Sequence, residues 1–413
     1  VSSSTSPTSL EPVQVPKGWK DIRLGQVFSH VIDTGHTQEL SVLSVTLHEG
    51  VKRRESLDRR LAGEVDRDTY RRVLPGDIAY NTMRMWQGAS GLVQEEGYVS
   101  PAYTVARPVK SECPEFWAQY LKEPTMVQRL FGHSQGVAKD RYRLYFKHFA
   151  TVPALRPPPM EQRKIASVLS SVDEAIQANR DVIDQTRRVK EGLLQEFLTQ
   201  GIGHKHFTQT EIGKLPERWR IASVAEVTST IVDYRGKTPP YVDHGVPVIS
   251  QEDIQSIGLR PSTKWISPET ATEWVHRGTL DPGDIVFRME RFVGEVVQVP
   301  DDQRYVITRG VLALRPDPSV MRKDFMFWML FHKKRKGDWD KHGHATTVPR
   351  MYKPDLLADL VVVPPLAEQA EIAGKMNQVQ ASIEASQAEL LSLSCTKAGV
   401  LQELLTGKVR VSV

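Results

Sequence analysis

With 413 residues, 40% of them hydrophobic and 25% charged, the chain is long enough for two or three domains with proper cores, and its composition is that of an ordinary soluble globular protein. A formal net charge of +4 permits nucleic-acid binding through local basic patches without demanding it. Two cysteines at unrelated positions, Cys113 and Cys395, and no apolar run of membrane-spanning length argue against a disulfide framework, a cysteine zinc site and a membrane protein, and fit a reducing, cytoplasmic setting.

In chain order, residues 1–14 are rich in Ser, Thr and Pro, carry no signal-peptide pattern, and are expected to form a disordered lead-in. A first globular domain is predicted over residues 15–156, with β-rich runs at 40–45, 78–80 and 103–105 and a helical stretch at 116–121. A long helix follows over 157–201, entered through Pro157-Pro158-Pro159 and stopped at Gly201. Residues 202–214 read as a linker, with Gly201-Ile202-Gly203-His204 as a hinge. A second globular domain is predicted over 215–362, with β-rich runs at 246–249, 285–287 and 311–314 and a helical stretch at 325–331. A second long helix occupies 363–407, entered through Pro364-Pro365 and stopped at Gly407, and 408–413 form a tail.

The second half repeats the first. Glu161-Gln162-x-x-Ile165-Ala166 recurs 207 residues later as Glu368-Gln369-x-x-Ile372-Ala373, and Leu194-Gln195-Glu196-Phe197-Leu198-Thr199 recurs as Leu401-Gln402-Glu403-Leu404-Leu405-Thr406. Val15-Pro16-Lys17-Gly18-Trp19 answers Leu215-Pro216-Glu217-Arg218-Trp219, and Pro75-Gly76-Asp77-Ile78 answers Pro282-Gly283-Asp284-Ile285. The unit is a globular α+β domain followed by a long helix, repeated once, which points to a pseudo-two-fold molecule. Each Glu-Gln puts its acid in a helix's first turn, where the dipole favours it.

Both helices carry a heptad seam. Ile165, Leu169, Val172, Ile176, Ile183, Leu193 and Phe197 line the first, with Asn179, Thr186 and Lys190 at the intervening seam positions. Ile372, Met376, Val379, Ile383, Leu390, Val400 and Leu404 line the second, which also holds Ser386, Leu393 and Lys397 in register. Steps of four and three over more than four repeats predict a coiled coil, antiparallel if the axis is a pseudo-two-fold. The polar seam residues are expected to be partly exposed or to fix the register.

Basic residues gather in predicted loops. The candidates for DNA contact are Arg53, Arg54, Arg84, Lys139, Arg141 and Arg143 in the first domain. In the second they are Arg235, Lys237, Arg288, Arg291 and Arg350, beside the run Lys333 to Lys336 and Lys341. Such side chains neutralise phosphates, and arginine also reads guanine edges bidentately, although a solvated loop surface has the same composition. Arg84 and Arg291 share a placement, seven residues after the aspartate of each Pro-Gly-Asp-Ile.

Catalytic patterns fail on inspection. Gly236-Lys237-Thr238 lacks the earlier glycine of a phosphate loop, since Ile231 stands there. Thr238-Pro239-Pro240-Tyr241 lacks the polar residue that opens the adenine methyltransferase Pro-Pro-Tyr element and reads as a turn. No lysine follows an acid at the acid-x-Lys spacing of nucleases, and His342-Gly343-His344 and His204-x-His206 lack further metal ligands, so no metal is expected.

The order of these anchors, with Phe207-x-x-x-Glu211-Ile212-Gly213-x-Leu215-Pro216-x-x-Trp219, Gly236-Lys237-Thr238-Pro239 and Val246-Pro247-Val248-Ile249, resembles the specificity (S) subunit of type I restriction-modification systems. The resemblance covers nearly everything from Val15 to Arg410, and the first domain departs from it in lacking the Gly-x-Thr-Pro element. It implies two target recognition domains, each reading one half of an asymmetric bipartite sequence in double-stranded DNA. It further implies helices that act as spacer and as platform for two methyltransferase subunits. No cofactor would be bound by this chain, S-adenosylmethionine being held by the methyltransferases. Motor-nuclease subunits would complete the system in a bacterial or archaeal cytoplasm. The chain itself would be non-catalytic. The alternatives are a coiled-coil adaptor that binds proteins and a self-contained DNA methyltransferase or nuclease.

Overall fold

The computed structural model describes residues 15–34, 39–57, 69–136, 142–234, 238–255, 258–275, 278–340 and 348–412. It separates into two compact units, residues 1–179 with 389–413 and residues 180–388. Each unit therefore holds one globular domain, part of one long helix and the opposite part of the other. The disordered lead-in expected over 1–14 lies outside the described residues.

In the first unit the strands are β1 (Lys20–Arg23), β2 (Phe28–Val31), β3 (Val42–Val45), β4 (Val51–Arg53) and β5 (Arg71–Val73). Then come β6 (Ile78–Asn81), β7 (Ser90–Leu92), β8 (Gly97–Val99) and β9 (Tyr103–Pro108). Three short helices follow, α1 (Pro114–Tyr120), α2 (Pro124–Gly132) and α3 (Phe146–Phe149), before β10 (Pro153–Arg156) and the long α4 (Pro159–Thr199). One antiparallel sheet has the order β2-β9-β6-β7 and a second the order β4-β3-β8-β5, in which β3 and β8 run parallel. β1 and β10 pair antiparallel and bring the domain's two ends together. The core beneath them is aromatic, with Phe28, Phe116, Trp117, Tyr80 and Phe149 packed edge to face or stacked.

The second unit repeats this plan. A hairpin of β11 (Phe207–Thr210) and β12 (Gly213–Pro216) precedes β13 (Arg220–Ser223), β14 (Thr228–Val232), β15 (Val246–Ile249) and β16 (Trp265–Ile266). After α5 (Pro268–Trp274) come β17 (Ile285–Arg288), β18 (Val296–Gln298), β19 (Val306–Ile307) and β20 (Val311–Pro316). The chain finishes with α6 (Lys323–Lys336), α7 (Lys353–Ala358), β21 (Leu360–Val363) and α8 (Leu366–Leu405). The sheet orders are β14-β20-β17-β18 and β16-β15-β19, with β15 and β19 parallel, and β13 pairs with β21. Strand for strand this is the first domain, except that the β11–β12 hairpin is added and α5 stands where the first domain has β5.

The repeated motifs are structural, and each has a physical reason. Pro75-Gly76 and Pro282-Gly283 form tight turns in which the glycines take φ of 94° and 78° and the aspartate N–H returns to Leu74 or Asp281. The aspartate side chain closes the turn: Asp77 accepts from the N–H of Leu74 at 2.9 Å and Asp284 from that of Asp281 at 2.8 Å. Both carboxylates are buried and bound by an arginine of the neighbouring strand, Arg107 at 2.6 and 2.8 Å and Arg315 at 2.7 Å. A buried charge is tolerated only when paired in this way.

The Glu-Gln pairs do more than answer a helix dipole. Glu161, 2% exposed, accepts from the indole N–H of Trp19 at 3.0 Å and from Arg410 at 2.6 and 2.8 Å, so the start of α4 is tied to the domain's entry and to the chain beyond α8. Glu368 accepts from the Trp219 indole at 3.0 Å, the Ile202 N–H at 3.0 Å and His204 at 2.8 Å. The segment read as a hinge is thus pinned to the start of α8 rather than free. Gln162 and Gln369, both fully buried, accept from the N–H of Cys113 and of Arg322 and so bolt α1 and α6 to the long helices. Gly201 and Gly407, at φ of 66° and 71°, leave no room for a side chain: a Cβ would lie 2.5 Å from Glu368 Oε1 and 2.5 Å from Pro16 Cγ.

Along the helices, Ile165, Leu169, Ile176, Ile183, Ile372, Met376, Ile383 and Leu404 are buried, while Val172, Leu193, Phe197, Val379, Leu390 and Val400 are half-buried. In the first unit Asp173 meets Lys397 at 2.6 Å and Asn179 meets Glu389 at 3.0 Å. Ascending numbers on α4 meet descending numbers on α8, so the two segments run antiparallel there. In the second unit Lys190 donates to Gln380 at 3.0 Å. Lys190 is 3% exposed and lies over the rings of Trp328 and Phe331. No described helix is long and apolar enough to cross a membrane.

Candidate nucleic-acid interface

The Pro-Gly-Asp-Ile turn launches β6 and β17, and the chain just beyond each strand carries Arg84 and Arg291. A second segment is laced to it. The N–H of Leu144 donates to Thr82 O at 2.9 Å, and the N–H of Met351 donates to Met289 O at 2.9 Å. These are equivalent bonds, because both positions of the first pair lie 207 residues before those of the second. The laced segments read Arg143-Leu144-Tyr145 and Arg350-Met351-Tyr352, and each tyrosine caps the next short helix, α3 or α7. Two arginines and an exposed tyrosine therefore stand on adjoining loops in each domain, in the same register. Tyr145 is 48% and Tyr352 59% exposed.

The two copies differ in detail. Arg84 and Arg143 are exposed and form no ion pair among the described residues. Arg291 is also exposed, and it is the one described non-glycine residue with a left-handed backbone, φ 66°, held by its N–H to Pro349 O at 2.8 Å. Such a conformation costs about 1 kcal/mol or more and marks a loop whose shape is imposed by its surroundings. Arg350 lies over the Tyr352 ring at 5.5 Å and meets Glu290 at 3.3 Å, so its charge is partly answered. Beside the first constellation, Trp86, Phe131 and Tyr142 form an aromatic cluster; beside the second, Phe292 is 64% exposed under the Arg288 guanidinium.

Other sequence candidates are placed elsewhere. Arg53 lies in β4, not in a loop, and Glu95 binds it through two nitrogens at 2.7 and 2.5 Å. That pairing holds the Glu95 carboxyl below its usual range and leaves less of Arg53 for a phosphate. Arg54 opens the 3-10 turn Arg54–Ser56. Arg288 closes β17 with 7% exposure, its Nε donating to Glu290 O at 3.1 Å, and burial lowers its pKa. Lys333 to Lys336 are the last turn of α6, where the helix dipole favours cations, and Lys333 is held by Asp359 at 3.1 Å. Lys139, Arg141, Arg235, Lys237, Lys341 and the histidines His342 and His344 lie outside the described residues. Among the described residues no three His, Cys, Asp or Glu side chains gather as metal ligands, and His204 is engaged by Glu368. The pairing of Arg143 with Arg350 was available in the sequence, because the 207-residue offset extends to it; it was hidden by the unlike residues around it.

No family model matches the chain. Among curated proteins, it is 26% identical over 271 residues to the "Type I restriction enzyme MjaVIII specificity subunit" of Methanocaldococcus jannaschii, covering 64% of this chain and 64% of that one. It is 25% identical over 355 residues to the "Putative type I restriction enzyme MjaX specificity subunit" of the same organism, covering 82% and 80%. The first of these alignments spans just under two thirds of that relative's length. Among solved structures, a chain from work on "complex assembly and conformational transition of the type I R-M system" aligns with TM-score 0.59 at 19% identity, over 96% of this chain and all of that one. The S subunit of a type I restriction-modification system from M. genitalium aligns with TM-score 0.58 at 12% identity, over 97% and 99%. At such identities the structures speak for the fold, and the curated relatives for the sequence. On both counts the chain is HsdS-like, resembling the specificity subunits of type I restriction-modification systems.

Proposed function

We propose that the chain is the DNA-recognition subunit of a type I restriction-modification complex and performs no catalysis itself. Each globular domain reads one half of an asymmetric bipartite target. The observation that carries this reading is the doubled constellation: Arg84, Arg143 and Tyr145 in one domain, Arg291, Arg350 and Tyr352 in the other, at one register on one topology. Two such readers need to be a fixed distance apart. α4 and α8, with 41 and 40 residues, are each about 60 Å long and together form an antiparallel, pseudo-two-fold coiled coil that serves as the ruler. Readers on one face of the duplex place half-site centres about one helical turn, roughly 34–36 Å, apart. Different loops on equal frames give different half-sites, and equal frames give two methyltransferase subunits equal platforms. S-adenosylmethionine and the adenine chemistry then belong to those partners, and cleavage to motor-nuclease subunits.

The test is methylome sequencing of cells that co-express the chain with its candidate methyltransferase. A single asymmetric bipartite motif, methylated at an adenine in each half, is the expected result. An assembled complex that leaves no new methylation overturns the reading and favours a protein-binding adaptor.

A further inference from the structure

The first domain contains a cavity of about 670 Å³ beneath the Arg143-Leu144-Tyr145 segment. That volume lies within the range of sites that hold small organic ligands. Its chemistry is graded with depth. Deepest are the hydroxyls of Thr82 and Thr104, both more than nine-tenths buried and 3.0 Å apart. Sharing one hydrogen bond, the pair still has one O–H and several lone pairs to offer. Next to Thr104 and Arg71, the hydroxyl of the buried Tyr80 makes no well-formed hydrogen bond. Four basic side chains, His30, Arg71, Arg143 and Lys147, also line the cavity, the last two of them exposed, and no carboxylate lines it among the described residues. Part of its wall is flat and aromatic, because the His30 ring stacks on Phe146 at 4.8 Å with 6° between planes.

The fold does not require this hollow. By strand register, His30, Thr82 and Thr104 correspond to Ile231, Met289 and Leu312 of the second domain. There Met289 and Leu312 are buried members of the apolar core, with Ile231 packed against them. Keeping polar groups on a face that the same backbone can fill with hydrocarbon costs stability, so a ligand that uses them is the economical explanation.

We infer that this cavity takes a single unstacked nucleotide, with the phosphate on Arg143 and Lys147 at the mouth and the base edge on the Thr82–Thr104 hydroxyls inside. Its apolar face lies on the His30–Phe146 stack. The nucleotide comes either from the bound DNA strand, which rests on the reading proposed above, or from free mononucleotide. The cavity shares Arg143 and Tyr145 with the candidate interface, so a strand crossing that interface passes its mouth. Drawing a base out of the stack costs a few kcal/mol, which contacts inside the pocket must return.

The experiment uses the full chain without methyltransferase subunits, so that no partner can flip a base. Duplexes of the target motif carry 2-aminopurine at successive positions of either half-site, and thymidine and deoxyadenosine monophosphates are titrated separately by calorimetry. The expected result is a several-fold rise in fluorescence at one position of one half-site. That rise should be lost in Ala102→Trp, which fills the cavity, and in Thr104→Leu, which copies the second domain. Overall duplex affinity should stay within about twofold in both variants, whose melting curves report folding. Mononucleotide binding that both variants abolish, with no fluorescence change, keeps the site and assigns it to the free ligand. The absence of both signals overturns the inference. In that case salt-dependent binding of the motif duplex would show that DNA recognition survives without the pocket.

Discussion

The two globular domains share their sheet orders, their Pro-Gly-Asp turns and their carboxylate staples, and outside the frame and the paired arginines and tyrosines they differ widely. The acids and amides that staple the frame are repeated residue for residue: Asp77 and Asp284, Glu161 and Glu368, Gln162 and Gln369, all of them buried except Glu368, which is nearly so. Apolar positions have drifted, because a core accepts many residues of suitable volume, whereas a buried carboxylate needs particular donors in particular places. The loops have drifted furthest, and in one domain a polar hollow replaces packed hydrocarbon. Frame and proposed reading surface are therefore encoded by separate sets of residues, which lets one change without the other.

The staples offer the strongest way to break the equivalence. Glu161→Ala strands the Trp19 indole and the Arg410 guanidinium; because Arg410 is 40% exposed, the loss should sit at the lower edge of the range for broken buried pairs, about 3 kcal/mol. Glu368→Ala strands three donors, including the backbone N–H of Ile202, and should cost at least as much. Urea unfolding followed by tryptophan fluorescence checks both. A loss below about 1 kcal/mol would reduce these carboxylates to ordinary first-turn acids, whose interaction with the helix dipole is worth that much.

Half of this architecture was legible from the chain itself. The 207-residue offset, the heptad steps and the glycine stops gave the long helices, since α4 and α8 are set by periodicity, which one sequence records. The β-rich runs at 246–249, 285–287 and 311–314 coincide with β15, β17 and β20 to within two residues. Strand order was not legible, because the parallel pairing of β3 with β8 joins segments more than fifty residues apart with no local signal. Nor was the fate of individual charges. Arg53 and Arg143 look alike in sequence, and only Glu95, from the turn between β7 and β8, removes the first from the candidates. The Glu-Gln motif was visible, but its purpose depends on Trp19 and Arg410, which lie 142 and 249 residues away.

The reading loops sharpen the comparison at an intermediate scale. Arg143→Ala and Arg84→Ala should weaken binding to duplexes with an intact first-domain half-site, leaving discrimination at the other half unchanged; Arg350→Ala and Arg291→Ala should do the reverse. If an arginine reads a base edge, its loss costs about 1–3 kcal/mol, or roughly 5- to 150-fold in Kd, at that half only. Arg350 should fall at the low end, because Glu290 already answers part of its charge. Binding measured against duplexes scrambled in one half at a time separates the cases. Equal weakening on every sequence would turn these arginines into phosphate contacts.

The smallest expected effect is that of Lys397, at one seam position that the two copies fill alike and surround differently. Lys190 and Lys397 are the same residue 207 positions apart. Lys397 keeps an ion pair with Asp173 at 2.6 Å, both partners partly exposed, so Lys397→Met should cost less than about 1 kcal/mol. Lys190 forms no ion pair among the described residues and rests on Trp328 and Phe331; burial, reinforced by the charge of Arg335 and only partly opposed by Glu191 and Glu384, pushes its pKa down to about 8. An unfolded lysine titrates near 10.4, so between about pH 8 and 10 the unfolded chain holds the extra proton. Stability should then rise with pH across that window and stay at its lower value below pH 8, where the lysine is charged in both states. Lys190→Met removes the titration. It should raise the urea midpoint at pH 7 and flatten the profile from pH 8 to 10, while Lys397→Met leaves the slope of the parent chain in place. Parallel profiles for the parent and Lys190→Met would mean that Gln380 and the two rings compensate the buried charge fully.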